Sequence, residues 1–162
     1  MYKRQIYVRD VMERQQPDAV RYYLSAVAPE TSDADFSWEE FARRINGELV
    51  AGWGNLVNRT ASMIAKSFGE IPQPGELQEV DRALLEAVRG GYATVGGLLE
   101  RFRNRQALAE AMRLVSEANA YISTTEPFKL KGAENAERLA TVLWTCAQAV
   151  SYTHLRAHET KA

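Results

Sequence analysis

Apolar positions in the middle of the chain recur at the spacing of a helix. Phe41, Ile45, Leu49, Trp53, Leu56, Ile64 and Phe68 follow one another mostly at three- and four-residue steps, which sets them along one face of a rod. Ser37-Trp38-Glu39-Glu40 stands just ahead of the series and reads as a capping box, with Phe36 placed as its hydrophobic staple. Gly69 supplies a stop, and the segment 71–76 (IPQPGE) is a loop. The pattern predicts a helix of about thirty residues, roughly 45 Å long. Gly52 and Gly54 lie inside it and each costs about 1 kcal/mol relative to alanine, so they suit places where a neighbour comes close to the backbone. Trp38 and Trp53 are read as core residues.

The same patterning predicts a second helix from about Leu77 to Phe102. Its Gly90-Gly91 and Gly96-Gly97 pairs mark either a break or a close helix–helix contact. Asn104 is a good N-cap for a third helix, Arg105 to Ile122, with Leu108, Met112, Val115 and Ala118 on one face. Residues 123–128 form a loop, and a fourth helix from about Glu134 carries Leu139, Val142, Leu143 and Cys146. Upstream, Ile6 to Val11 alternates well enough for a short strand or extended segment. Pro17-Asp18 opens a helical stretch that stops before Pro29. Four amphipathic helices with short connections predict an all-α antiparallel bundle preceded by a short segment.

Composition adds limits. At 162 residues, 46% hydrophobic and 25% charged, the chain has ordinary globular usage and room for one domain. The single Cys146 excludes an internal disulfide, suits a reducing compartment, and reads as a small apolar helix residue. No apolar run approaches the ~20 residues needed to span a bilayer and no signal-peptide pattern opens the chain, so the expectation is a cytoplasmic protein without a membrane partner. The net charge of −1 leaves any nucleic-acid site to a local patch.

Both ends read as foreign. Met1-Tyr2-Lys3-Arg4-Gln5 can be encoded as GTGTATAAGAGACAG, and the reverse complement of that string, read from its third base, encodes Val150-Ser151-Tyr152-Thr153. The run to Thr160 resembles the continuation of a transposon-type sequencing adapter. Residues 1–5 and 150–162 are therefore expected to be adapter-derived. That removes the only histidines, His154 and His158, whose i, i+4 spacing would otherwise suggest a metal site.

No Gly-rich phosphate loop, nucleophile elbow, HExxH or cysteine cluster is present, so no catalytic residue and no metal ligand is assigned. Recognition chemistry remains. Asn55 and Arg59 stand at i, i+4 on the long rod and share a face. The amide offers a paired donor and acceptor and the guanidinium a planar fork with a stacking surface, which together suit an unpaired base and its neighbour. From the spacing alone, the more ordinary reading is a local hydrogen bond or a solvated face. Phe128, after the third helix, offers an aromatic platform or, alternatively, seals the bundle end.

The order of motifs carries a resemblance. The segments 18–24 (DAVRYYL), 35–41 (DFSWEEF), 44–49 (RINGEL) and 54–59 (GNLVNR), then Glu126-Pro127-Phe128-Lys129 after Tyr121, resemble the methionyl-tRNA synthetase family of class I synthetases, over essentially all of residues 6–149. The resemblance implies that residues 6–35 belong to a stem-contact segment and 36–149 to most of the helical anticodon-binding bundle. It implies a parent enzyme that joins methionine to tRNA(Met) using ATP and Mg2+, through a catalytic domain in cis that is missing here. The piece itself would have no cofactor and no ligase activity, and an exposed apolar surface would leave it marginally stable. The family's anticodon contacts fall on Asn55 and Arg59, which would meet the CAU anticodon. Its stacking aromatic, usually tryptophan, falls on Phe128, which keeps a stacking face but lacks the indole N–H. The competing readings are a non-catalytic helical protein-interaction module and, third, a helix-turn-helix DNA reader, which the absence of a basic recognition helix disfavours.

Overall fold

The computed structural model describes residues 6–30 and 35–154. The expectations for Met1–Gln5, for residues 31–34 and for His158 with the rest of the tail lie outside the described residues. Among the described residues there is no strand, and the helical bundle expected from the patterning is what the chain forms. Two short helices, α1 (Val8–Met12) and α2 (Pro17–Ala26), precede a long rod. The rod is α3 (Trp38–Arg44), a π-helical stretch (Ile45–Gly54) and α4 (Asn55–Ser67) in unbroken succession. Helices α5 (Glu79–Glu100), α6 (Asn104–Thr125) and α7 (Ala136–His154) complete the bundle, with 3₁₀ turns at Pro127–Lys129 and Ala133–Asn135.

Three local expectations need correction. The segment Ile6–Val11 is not extended: from Val8 it forms α1, because no strand among the described residues is at hand to satisfy its backbone, whereas one helical turn satisfies itself. Trp38 is 41% exposed and not a core residue; it lies edge-on to Phe36 and Phe41 at the outer end of the rod. The capping box at Ser37 is half formed. The Ser37 hydroxyl accepts from the Glu40 amide at 3.3 Å, but the Glu40 carboxylate turns away to Arg43 and Arg44, and the Ser37 amide donates to the Tyr23 hydroxyl instead. The staple does form, with the Phe36 and Phe41 rings 6.2 Å apart.

Tyr23, 1% exposed, packs its ring against both phenylalanines and so fixes α2 to the start of the rod. Tyr22 donates to Glu48, itself held by Arg44, which ties α2 to the π stretch. The main core lies below this junction. Leu56, Ile122 and Val142 are fully buried there with Leu84, Val88, Val115 and Tyr121, each aliphatic chain contributing about 1.5–3 kcal/mol by leaving water. Gly91 explains one of the two glycine pairs: a Cβ there would strike the Leu114 side chain, so it marks the close contact of α5 with α6. Gly96 and Gly97 face open space and α5 runs through them without a break.

One polar cluster sits inside this apolar interior. Asp81, wholly buried on α5, accepts two bonds from the Arg138 guanidinium of α7, at 2.5 and 2.9 Å. It accepts a third from the Tyr121 hydroxyl of α6 at 2.5 Å and a fourth from the Gln78 amide at 2.8 Å. Burial alone would raise the Asp81 pKa, but these donors outweigh it and hold the carboxyl below its ordinary value. A depressed folded-state pKa contributes stability above the unfolded value, near 4, and loses it as pH falls through the folded one. Acid unfolding monitored by circular dichroism should therefore show stability declining below about pH 4, and Asp81→Asn should flatten that limb. An identical acid limb in the variant would mean that Asp81 is not the group titrating.

Candidate nucleic-acid interface

The π stretch sets where the reading face points. Asn55, the first residue of α4, gives its backbone N–H to both Gly52 and Val50, the second being an i→i+5 link. The wider turn leaves carbonyls open to outside donors, and the Asn119 amide of α6 bonds the Gly52 carbonyl at 3.1 Å. A Cβ on Gly52 would lie 3.4 Å from Met112, so the glycine sits where α6 approaches the rod closely. The expectation of a close neighbour at this glycine is met.

Asn55 is exposed, beside a shallow depression formed with Val50, Ala51, Gly54 and Asn58. Arg59, one turn on, is half-buried. Among the described residues neither side chain is engaged in a hydrogen bond or ion pair, so the local-bond reading of the pair is not what the structure contains. Arg59 leans toward α7: burial pushes the Cys146 thiol up to about 12, and the positive charge of Arg59 acts against that rise. The pair thus has free recognition groups on one side and a packed foundation, Leu56, between them.

Phe128 is delivered by a sharp turn. Glu126 ends α6 in the left-handed region (φ 43°), Pro127 is buried, and Phe128 is thrown outward, 52% exposed. Lys129 returns to Glu126 at 2.7 Å and closes the turn. The residue that packs against the core here is Leu130, not Phe128. Leu56, between Asn55 and Arg59 on the rod, and Leu130, just after Phe128, both pack into the main core of the bundle. Sequence reasoning missed two supports of this arrangement. Asn119 was invisible because its partner is a main-chain carbonyl. Asp81 did leave a signal, being a carboxylate inside the apolar series with Leu84, Leu85 and Val88, which calls for an internal partner.

The family model described as tRNA synthetases class I (M) matches residues 2–61. The chain is 58% identical over 146 residues to the methionine–tRNA ligase of Kineococcus radiotolerans, covering 90% of this chain and 24% of that one. A 58% match of the same extent is made to the enzyme of the same name from Beutenbergia cavernae. The chain thus spans about a quarter of the length of the curated relatives it matches. Among solved structures it superposes on the apo form of Mycobacterium tuberculosis methionyl-tRNA synthetase with a TM-score of 0.86 at 30% identity, over 91% of this chain and 31% of that one.

Proposed function

Since the chain is a member, over nine-tenths of its length, of the methionyl-tRNA synthetase family of class I synthetases, we propose that it is the part of a methionine–tRNA ligase that binds tRNA(Met) and reads its CAU anticodon. Residues 6–35 act as a stem-contact segment and 36–149 as the anticodon-binding bundle. ATP and Mg2+ chemistry belongs to a catalytic domain in cis, and this region of the chain assigns no residue to it. The observation that carries the reading is an exposed amide and a guanidinium one turn apart, both without protein partners among the described residues, on a bundle that also turns an aromatic ring outward at Phe128. Unpaired bases need such a set: groups for their polar edges and a flat surface for their faces. A protein-interaction module is the second reading, favoured by the exposed Ile6 and Tyr7 just ahead of α1, Val8 on α1 and Leu24 on α2.

Phe128 supplies the test. Base stacking is worth about 1–3 kcal/mol, so Phe128→Ala should weaken binding of a CAU-bearing anticodon hairpin by roughly 5- to 150-fold, measured by fluorescence anisotropy. Phe128→Trp should bind as well as the parent chain or better, because the larger ring adds area. Equal binding of CAU and scrambled hairpins by the unaltered chain would reject the reading.

A further inference from the structure

The turn between α5 and α6 breaks a local rule with no gain to the fold. Leu98 to Arg103 form a Schellman motif: the Phe102 amide donates to the Leu99 carbonyl at 2.9 Å and the Arg103 amide to that of Leu98 at 2.8 Å. The residue after the cap in such a motif must be left-handed, and glycine normally fills it. Here it is Phe102, at φ 56°, a conformation that a bulky side chain adopts only at a cost. Hydrophobic burial does not offset that cost, because Phe102 is 83% exposed, more than any other large hydrophobic residue in the described structure. Arg101, Arg103 and Arg105 surround it, all exposed. Among the described residues none of the three guanidiniums has a hydrogen-bond or ion-pair partner; the one polar link here joins the Arg105 backbone amide to Glu30. Glu100 is the single acidic residue between Leu98 and Arg105, so the turn carries a local positive excess on a chain of net charge −1.

Arg105 lies level with Arg44 and Glu48 on the rod. Asn55 is eleven residues beyond Arg44, at most about 16 Å along the axis at the α-helical rise and less through the wide π stretch, the span of a few stacked base pairs. We propose that Arg101, Phe102 and Arg103, with Arg105, form a second RNA contact that grips the sugar–phosphate backbone of the helical stem next to the anticodon loop, independent of sequence. Unpaired arginines neutralise phosphates, and an exposed ring among them packs against sugars or a frayed base. This rests on the anticodon-binding reading and extends it from the loop to the stem.

The test uses the 162-residue chain, RNA hairpins bearing CAU or a different anticodon, and affinity measured across a salt series. Arg101→Ala/Arg103→Ala should weaken both hairpins by the same factor, about tenfold, and make the log–log salt slope shallower by roughly 1.8, as loss of two phosphate contacts on a helical stem requires. Phe102→Gly should weaken both hairpins while raising the melting temperature by about 2–4 °C, because it removes the left-handed strain. A merely structural role cannot move affinity and stability in opposite directions. An unchanged salt slope in the double variant overturns the proposal, as does a Phe102→Gly chain that is stabilised and binds RNA undiminished, which would give the turn to a protein contact. Failure of the anticodon reading looks different: the unaltered chain would bind both hairpins equally, while the arginine effect on the slope persisted. A chain that binds neither hairpin refutes both.

Discussion

Arg138→Ala should be the most damaging single substitution in the bundle, lowering stability by about 3–5 kcal/mol. The loss is not simply that of two hydrogen bonds. Asp81 has no exposed surface, so removing the guanidinium leaves a carboxylate facing only the Tyr121 hydroxyl and the Gln78 amide. A buried charge without its counterion is among the costliest features a fold can hold. Domains of this size are stable by about 5–15 kcal/mol, so the variant should show a melting temperature lower by roughly 10 °C or more, or fail to fold. The double variant Asp81→Leu/Arg138→Met supplies the control. With both charges gone, apolar side chains occupy the space and much of the loss should be recovered. A loss below about 1 kcal/mol for Arg138→Ala would mean that the pair behaves as a surface salt bridge, at odds with its burial.

The second large effect concerns recognition and not folding. Asn55→Ala should cost about 1–3 kcal/mol in discrimination between a CAU hairpin and one with an altered anticodon, a 5- to 150-fold compression of the ratio, with little change in melting temperature because Asn55 is exposed. Ser67→Ala, an exposed position at the far end of α4 and outside the depression beside Asn55, is the reference. Arg59→Ala should weaken cognate binding further, and Arg59→Lys should not rescue it, since an ammonium lacks the planar fork. If Asn55→Ala and Ser67→Ala lose discrimination alike, the amide is not a reading group.

Much of the architecture was legible because helices announce themselves by spacing, and the boundaries of α5 and α6 fall within three residues of those expected. The candidate residues Asn55, Arg59 and Phe128 were visible as polar and aromatic groups out of step with the apolar stripe. Their settings were not, because these depend on contacts distant in sequence: Asn119 on the Gly52 carbonyl, Arg138 on Asp81. The failure at Ile6–Val11 is instructive, since alternation over six residues predicts a strand only where another strand is available. The π stretch did leave a trace. Phe41, Ile45, Leu49 and Trp53 are spaced by four, three times in succession. On a 3.6-residue helix such a series drifts forward around the axis, and the wider turn, which needs more than four residues to close, carries it back the other way.

That wide turn has a consequence for how the reading face is specified. The azimuth of everything beyond Gly54 is set by how many residues the stretch contains, not by which residues they are. Deleting one residue between Ile45 and Gly54 would swing Asn55 and Arg59 about the axis by somewhat less than the roughly 100° of an α-helical residue, because each residue of the wide turn rotates the rod less, with the aromatic clamp around Tyr23 untouched. The pointing direction of the two groups is thus encoded as a length, so a gap in this stretch would blind the face in a way that no exchange of side chains could repair.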